Sequence, residues 1–317
     1  MGRTSWGDVP GTLHARIEAI LGGPVVDAVS QAGGYSPGGA DRVVTADGRR
    51  AFVKTLARSR NDDGFRLHEQ EARVMAHLPA SVQAPRLIDA LHETGAGDEW
   101  IALVFEDVDG QHPGRTLDGS DVTAVLDALD TLPPATGPLA ALPRLADELA
   151  EELGAWDRML AGGMPEVVPA HVASVAADLA RTARPAAGLL DGEHLAHVDC
   201  RADNLLVDAD GRVWVVDWPW ASVGAHWFDP LTYLLDTLVR GEDTDVEYHL
   251  ATHPMFAGLP ATTVDAVLAG LAGTFFEKAS RPAVPNMPTL RSFQRAEGLA
   301  AAEWLLRRWG EGRAVPR

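Results

Sequence analysis

His197-Val198-Asp199-Cys200-Arg201-Ala202-Asp203-Asn204 spells H-x-D-x-x-x-x-N, and Val215-Val216-Asp217-Trp218 follows, its aspartate thirteen residues after Asn204. Between them, Asn204 to Val207 and Val213 to Asp217 flank Asp208-Ala209-Asp210-Gly211, a compact hairpin signal. Moving a phosphoryl group from a nucleotide to a hydroxyl needs a carboxylate beside the acceptor. It also needs oxygen ligands for magnesium on the phosphates. Asp199 fits the first requirement, and Asn204 and Asp217 fit the second, because the hairpin brings both to the same side. Aspartate and asparagine also favour ordinary turns. The apolar strand that ends in Asp217-Trp218 at this distance gives the pattern its weight.

Working outward toward the N-terminus, a cation for the phosphates is found in Ala51-Phe52-Val53-Lys54, where Lys54 interrupts an apolar strand. Such strands present a lysine to the α- and β-phosphates and pair it with a helix glutamate. Phe65 to Leu78 reads as that helix, stopped by Pro79, and it carries both Glu71 and Glu69. Helical phase does not choose between the two. Upstream, Gly33-Gly34-Tyr35-Ser36-Pro37-Gly38-Gly39 lies between strand candidates, where glycines let backbone N–H groups approach phosphate oxygens. It matches neither Walker A nor G-x-G-x-x-G.

The texture of the chain changes near Asp107 to Gly110. Before it come a short amphipathic helix (Gly11 to Gly22) and β-branched runs from Val25, at Arg42 to Thr45, Arg50 to Leu56, Arg86 to Leu91 and Trp100 to Phe105. Beyond it, apolar periodicity predicts helices over Val122 to Leu132, Leu142 to Leu160, Val167 to Ala183, Asp229 to Arg240, Thr262 to Ala279 and Leu290 to Trp309. The expected architecture is α+β with two lobes. Residues 1–107 form a small antiparallel sheet with one paired helix, and residues 108–317 form a mainly helical lobe with the catalytic loop and acceptor site.

The catalytic block, with Asp217-Trp218 where protein kinases have Asp-Phe-Gly, resembles that of the aminoglycoside phosphotransferase and choline kinase superfamily, which has a protein-kinase-like fold. The resemblance runs from about Val25 to Trp309, and Trp227-Phe228-Asp229 resembles that family's next block. It implies an ATP- and Mg2+-dependent kinase of a small hydroxylated molecule, an aminoglycoside or other antibiotic among the candidates. By the same resemblance Glu71 is favoured over Glu69 as the partner of Lys54, and Ser36 lies near the γ-phosphate with Gly38 in the same loop. Phe105 backs the adenine, with the Glu106 carbonyl and Val108 N–H on its edge. Asp229 braces the catalytic loop, although its position equally suits a helix N-cap. His197 resembles the structural histidine of kinase loops. Arg201 sits where many protein kinases place a lysine near the transferring phosphate, and a surface arginine is the plain alternative.

Composition narrows the partners. A formal net charge of −18 argues against nucleic acid and anionic membranes as partners. No apolar run reaches spanning length and Met1 to Pro10 lacks a signal-peptide core, so a soluble cytoplasmic protein is expected. The single cysteine, Cys200, excludes an internal disulfide and reads as a packed small residue. Trp218, Trp220, Trp227 and the acidic run Asp236 to Glu247 would suit a cationic acceptor such as an amino sugar. The alternative is that these tryptophans are core and these acids solvated surface. Phosphorylation of a protein is disfavoured, because no obvious activation segment follows Asp217 before the helix beyond Gly224, and two further competing functions remain. One is a catalytically silent, nucleotide- or metabolite-binding kinase-fold protein. The other is a serine hydrolase built on Gly34-Tyr35-Ser36-Pro37-Gly38, disfavoured because glycines there are poor helix starters.

Overall fold

The β-branched runs of the front half become five antiparallel strands bounded by turn residues, with β2 alternating buried and half-buried positions, β5 buried over six consecutive residues and the edge strand β1 without a buried position. The computed structural model describes residues 4–31, 38–95, 97–114, 120–284 and 287–312. The chain divides into two compact units, Met1–Pro113 with Asp203–Ala221, and Gly114–Ala202 with Ser222–Arg317. The cut expected after residue 107 left the hairpin in the helical half; here Asp203–Ala221 belongs with the sheet.

In the first unit, helix α1 (Gly11–Leu21) precedes strands β1 (Val25–Ser30), β2 (Gly39–Thr45) and β3 (Arg50–Ala57). Helix α2 (Asp62–Met75) leads to β4 (Leu87–Gly95) and β5 (Asp98–Glu106), and a short β6 (Gly110–Gln111) closes the segment. The sheet order is β1-β2-β3-β5-β4. Leu13, Ile17 and Leu21 of α1 pack on Val43, Ala51, Val53, Ala102 and Val104, one face of the sheet. Strand alternation therefore sends Phe52 and Lys54 to the opposite face. Helix α2 contacts β3, β4 and β5 and buries Phe65, His68, Glu71 and Val74. Its start is set by Asn61, whose side chain accepts the Gly64 N–H at 2.8 Å, and by Asp62 and Asp63 in the first turn.

The second unit begins with α3 (Ser120–Asp130), α4 (Leu145–Leu153), α5 (Ala155–Gly162), α6 (Ala170–Ala173), α7 (Ala176–Ala183), α8 (Ala186–Leu189) and strand β7 (His194–Ala196). The chain then makes β8 (Leu205–Asp208) and β9 (Val213–Val215), which join β6 in a three-stranded sheet of the first unit. It returns through β10 (Ser222–Gly224), paired with β7, and α9 (Phe228–Val239), α10 (Val246–Thr252), α11 (Ala261–Ala279) and α12 (Leu290–Gly312).

Helix α11 is apolar nearly all round and sits at the centre of the second unit, buried from Val264 to Phe276 on most positions. A Cβ at Gly273 would lie 2.7 Å from the Trp156 ring, so only glycine lets that ring settle there and give its Nε1 hydrogen bond to Ala269 O, 2.7 Å. Two expected helices are each broken in two. Leu142 to Leu160 pauses at Gly154, and Val167 to Ala183 pauses at Ser174 and Val175. Apolar residues recur at helical spacing through both breaks, so periodicity alone could not show them. Among the described residues no helix is long and apolar enough to cross a membrane.

Candidate active site

In the first unit three expected residues meet. Lys54 of β3 donates to both Glu71 oxygens, at 2.6 and 2.8 Å, and to Asp217 Oδ1 at 2.7 Å. Glu71 is almost sealed (side chain 3% exposed), whereas the Asp217 side chain is 46% exposed. Burial works against the Lys54 ammonium, yet the Asp217 and Glu71 carboxylates outweigh it and hold the group above its ordinary range. Burial pushes the Glu71 carboxyl up, against the pull of Lys54. Of the two candidate partners, Glu71 is bonded to Lys54, while among the described residues the Glu69 carboxylate reaches Arg58 alone, at 3.9 Å.

Asp217 has φ 68°, a left-handed conformation that costs a non-glycine residue about 1–3 kcal/mol. Its neighbours pin it. Val216 N–H bonds Asn204 O at 2.9 Å, so the base of the hairpin ties the Asn204 backbone beside Asp217. The next residue, Trp218, is fully buried, gives Nε1 to Val215 O at 2.9 Å and points its N–H at Glu71 Oε1, 3.4 Å away. Asp217 and Asn204 offer carboxylate and amide oxygens, the donor set of a hard cation that keeps several waters. A cation already lies on Asp217 Oδ1 in the form of the Lys54 ammonium, so the residues fit magnesium. Among the described residues no group of three or more His, Cys, Asp and Glu forms a denser cage.

The linker after β5 is also fixed within this unit. Asp107 takes Arg50 Nε at 2.7 Å and Arg42 Nε at 3.1 Å, while Arg42 Nη2 bonds Val108 O at 3.0 Å. Glu106 N–H bonds Arg86 O at 3.0 Å, and Phe105 is buried with Lys54 Nζ 5.6 Å from its ring centroid. Gly38 is buried at the entry to β2; Ser36 lies outside the described residues.

The second unit carries the loop expected from the sequence to be catalytic. Val198 has φ 74°, a severe outlier for a β-branched residue. The Asp229 carboxylate holds it there, accepting His197 N–H at 2.6 Å and Val198 N–H at 2.8 Å. Asp229 is therefore a brace and not the N-cap of α9, a position that Trp227 occupies. Burial pushes the Asp229 carboxyl up, against these two donors. Two helical turns on, Asp236 accepts the Ala202 N–H at 3.0 Å and Arg240 Nε at 2.9 Å. One face of α9 thus grips the loop on both sides of Asp199. The Asp199 carboxylate is partly exposed, with Arg201 Nη1 at 3.5 Å, and Cys200 is buried with its thiol pushed up by that burial.

The phosphotransferase enzyme family model matches residues 37–259, more than two thirds of the chain. The chain belongs to this phosphotransferase family. The aminoglycoside phosphotransferase APH(4)-Ia has a similar fold at 17% identity, with 92% of this chain and 98% of that chain covered and a TM-score of 0.59. A ternary complex of a thermostable mutant of that enzyme holds ADP and hygromycin B. An amicoumacin kinase in complex with AMP-PNP, Ca2+ and Ami is 12% identical, covered 92% and 93%, at TM-score 0.55. Choline kinase LicA from Streptococcus pneumoniae is 15% identical, covered 92% and 98%, at TM-score 0.52. No curated protein sequence matches the chain. The α+β, two-lobed, protein-kinase-like fold expected from the catalytic block is the fold of this phosphotransferase.

Sequence reasoning missed three groups. His68, one turn before Glu71, bonds Gly64 O through Nδ1 at 2.8 Å, and burial with the nearby Lys54 ammonium pushes it down to about 4. Asp236 was grouped with the acidic run, although its seven-residue distance from Asp229 on one helix was a readable sign of a shared face. Glu297 gave no local signal at all. The acidic run itself is largely engaged inside the second unit. Glu242 pairs with Arg240, Asp245 caps α10 by accepting Tyr248 N–H at 2.9 Å, and Glu247 takes Arg308 and Trp304 Nε1, each at 2.6 Å.

Proposed function

We propose that this phosphotransferase moves the γ-phosphoryl group of ATP to a hydroxyl of a small molecule, with magnesium as cofactor. The observation that carries the reading is Lys54, fixed between buried Glu71 and half-exposed Asp217 by bonds of 2.6 to 2.8 Å. A buried lysine held above its ordinary range is charged at neutral pH and suits phosphate oxygens. The nucleotide complexes of the similar structures support the same reading.

Within the first unit, Lys54 orients the α- and β-phosphates and Glu71 keeps the ammonium in place when Asp217 turns to metal. Magnesium held by Asp217 and Asn204 would neutralise charge on the phosphates. Phe105, the Glu106 carbonyl and the Val108 N–H receive the adenine, and Gly38 lies along the phosphates. Within the second unit, Asp199 orients the acceptor hydroxyl and takes its proton, and Arg201 neutralises charge that develops on the γ-phosphoryl oxygens. The acceptor is a hydroxylated small molecule. Because Glu242, Asp245 and Glu247 already have partners, the acidic run gives little support to a cationic one.

Asp199→Asn tests the chemistry. ADP release should be screened across aminoglycosides, macrolides, peptide antibiotics, amino alcohols and sugars to find the acceptor. The variant should then lose roughly 10²–10⁴-fold in turnover, with the KM for ATP little changed. Near-parental turnover by the variant would remove Asp199 from the reaction.

A further inference from the structure

Strand β2 carries an aspartate at a buried position where its alternation suits an apolar residue. Asp41 shares the face of the sheet on which Val43, Ala51 and Val53 pack against α1, and it is 0% exposed. Its Oδ1 accepts from Ser30 Oγ at the end of β1, while its Oδ2 has no hydrogen-bond partner. Among the described residues no ion pair balances its charge. A buried carboxylate without a counter-charge is costly.

A second buried oxygen stands beside it. In the antiparallel pairing of β2 with β3, Gly39 lies opposite Thr55 and Asp41 opposite Val53. Thr55 is therefore the diagonal, same-face neighbour of Asp41, a spacing that a third group can bridge. It is as fully buried as Asp41, and its Oγ1 has no partner either, so the two oxygens do not bond each other. Gly39 keeps the place between them free of a side chain. A Cβ there would lie 2.5 Å from Thr55 Oγ1, 3.1 Å from Asp41 Oδ2 and 3.4 Å from the Thr4 carbonyl oxygen. Thr4 is buried too, so the N-terminal segment closes the same place with its main chain. Oxygens from three separate stretches of chain thus converge beside Gly39.

We propose that Asp41 Oδ2, Thr55 Oγ1 and Thr4 O bind a buried monovalent cation of sodium or potassium size. A donor set of oxygens alone suits hard alkali and alkaline-earth ions over zinc or copper. The single carboxylate then decides the charge. A monovalent ion neutralises it, whereas a divalent ion would leave a net charge in an apolar setting. Magnesium also keeps several waters, for which fully buried residues leave poor access. Water in this place would bond both oxygens and leave the carboxylate charge unbalanced. The site is distinct from the one proposed for magnesium, because Lys54 leaves the sheet on its other face. Through Ser30, Asp41, Thr55 and Thr4 the cation joins the ends of β1, β2 and β3 to the N-terminal segment.

The test is thermal unfolding of the full chain, without nucleotide, in sodium, potassium or tetramethylammonium chloride at equal ionic strength. Sodium or potassium should raise the midpoint saturably, by about 2–5 °C over tetramethylammonium, and the better of the two reports the size of the ion. Asp41→Asn should erase that difference. Thr55→Val should weaken the response and Thr55→Ser, which keeps the hydroxyl, should retain it; this pair carries the test if Asp41→Asn does not fold. Equal unfolding of the parent in all three salts would overturn the inference and leave the place to water or a proton. A cation response that survives in Asp41→Asn, or one that is equal in Thr55→Val and Thr55→Ser, would overturn it as well. None of these readouts uses turnover, so their failure leaves the phosphotransfer reading untouched.

Discussion

The two units secure their functional carboxylates by opposite means. In the first, Glu71 and Asp217 are balanced by one side-chain charge, Lys54, and the bonds run between long side chains. In the second, Asp229 is held by the backbone N–H groups of His197 and Val198, and Asp236 by the Ala202 N–H together with Arg240, so most of the bonds run to the chain itself. The first arrangement can be rearranged, because in the function proposed above Lys54 and Asp217 each take a second partner. The second cannot move without releasing Val198 from its left-handed backbone. On the proposed function, the centre assigned to the nucleotide tolerates exchange of partners, whereas the loop assigned to the base is held largely by its main chain.

That contrast is most easily broken by removing the acceptor or the donor that each side relies on. Of the variants that address this contrast, Lys54→Met should have the largest effect, lowering ADP release by about 10²–10³-fold and weakening stabilisation by Mg·ATP, because a preorganised charge on the phosphates is lost. Asp229→Asn should act differently. Its amide can accept one of the two N–H groups but presents donors to the other, which costs about 1–3 kcal/mol. Thermal unfolding should therefore come earlier, while the shift on adding Mg·ATP stays near parental. The opposite pattern, with nucleotide stabilisation lost in Asp229→Asn and kept in Lys54→Met, would undo the division of labour.

The sequence was most legible where function and local pattern coincide. The spacing from Asp199 through Asn204 to Asp217 and the charge in the Lys54 strand are local features, and the five strands follow from β-branched runs between turns. The helical half was legible as helices but not as to their breaks, because Gly154 interrupts the backbone without interrupting the apolar face. Glu297 was illegible for a different reason. Its neighbours Arg201 and Asp199 are nearly a hundred positions away, and only the close packing allowed by Gly298 puts α12 where it stands.

A subtler contrast lies in how the units respond to pH. His68, in the first, is pushed down to about 4 from an ordinary 6.5, so the folded chain prefers it neutral. The unfolded chain takes the proton first as pH falls. Stability is therefore full above about 6.5 and declines by up to ~3 kcal/mol as pH drops toward 4. Glu297, in the second, is pushed up to about 8, so stability is full below the ordinary carboxylate range and declines as pH rises from about 4.5 toward 8. Calorimetry across pH should show His68→Leu flattening the acid slope and Glu297→Gln flattening the neutral-to-alkaline slope. Two parallel profiles for the variants would mean that neither group is held as its burial requires.

The smallest expected effect sharpens the comparison inside α2 itself. Glu69 and Glu71 are two residues apart on one helix, so they face different ways, and only Glu71 meets Lys54. Glu69 is partly exposed and reaches only Arg58, at 3.9 Å, the range in which surface pairs contribute ~0–1 kcal/mol. Glu69→Gln should therefore change stability by less than about 0.5 kcal/mol and leave ADP release at the parental level. Glu71→Gln removes a buried charge that holds Lys54, so it should lower ADP release by roughly tenfold, less than Lys54→Met, since the amide oxygen that replaces the carboxylate still accepts from the ammonium. Equal losses from Glu69→Gln and Glu71→Gln would show that general negative charge near the lysine matters and not the bonded geometry. A loss confined to Glu69→Gln would mean that the working partner of Lys54 is the one the structure turns toward Arg58.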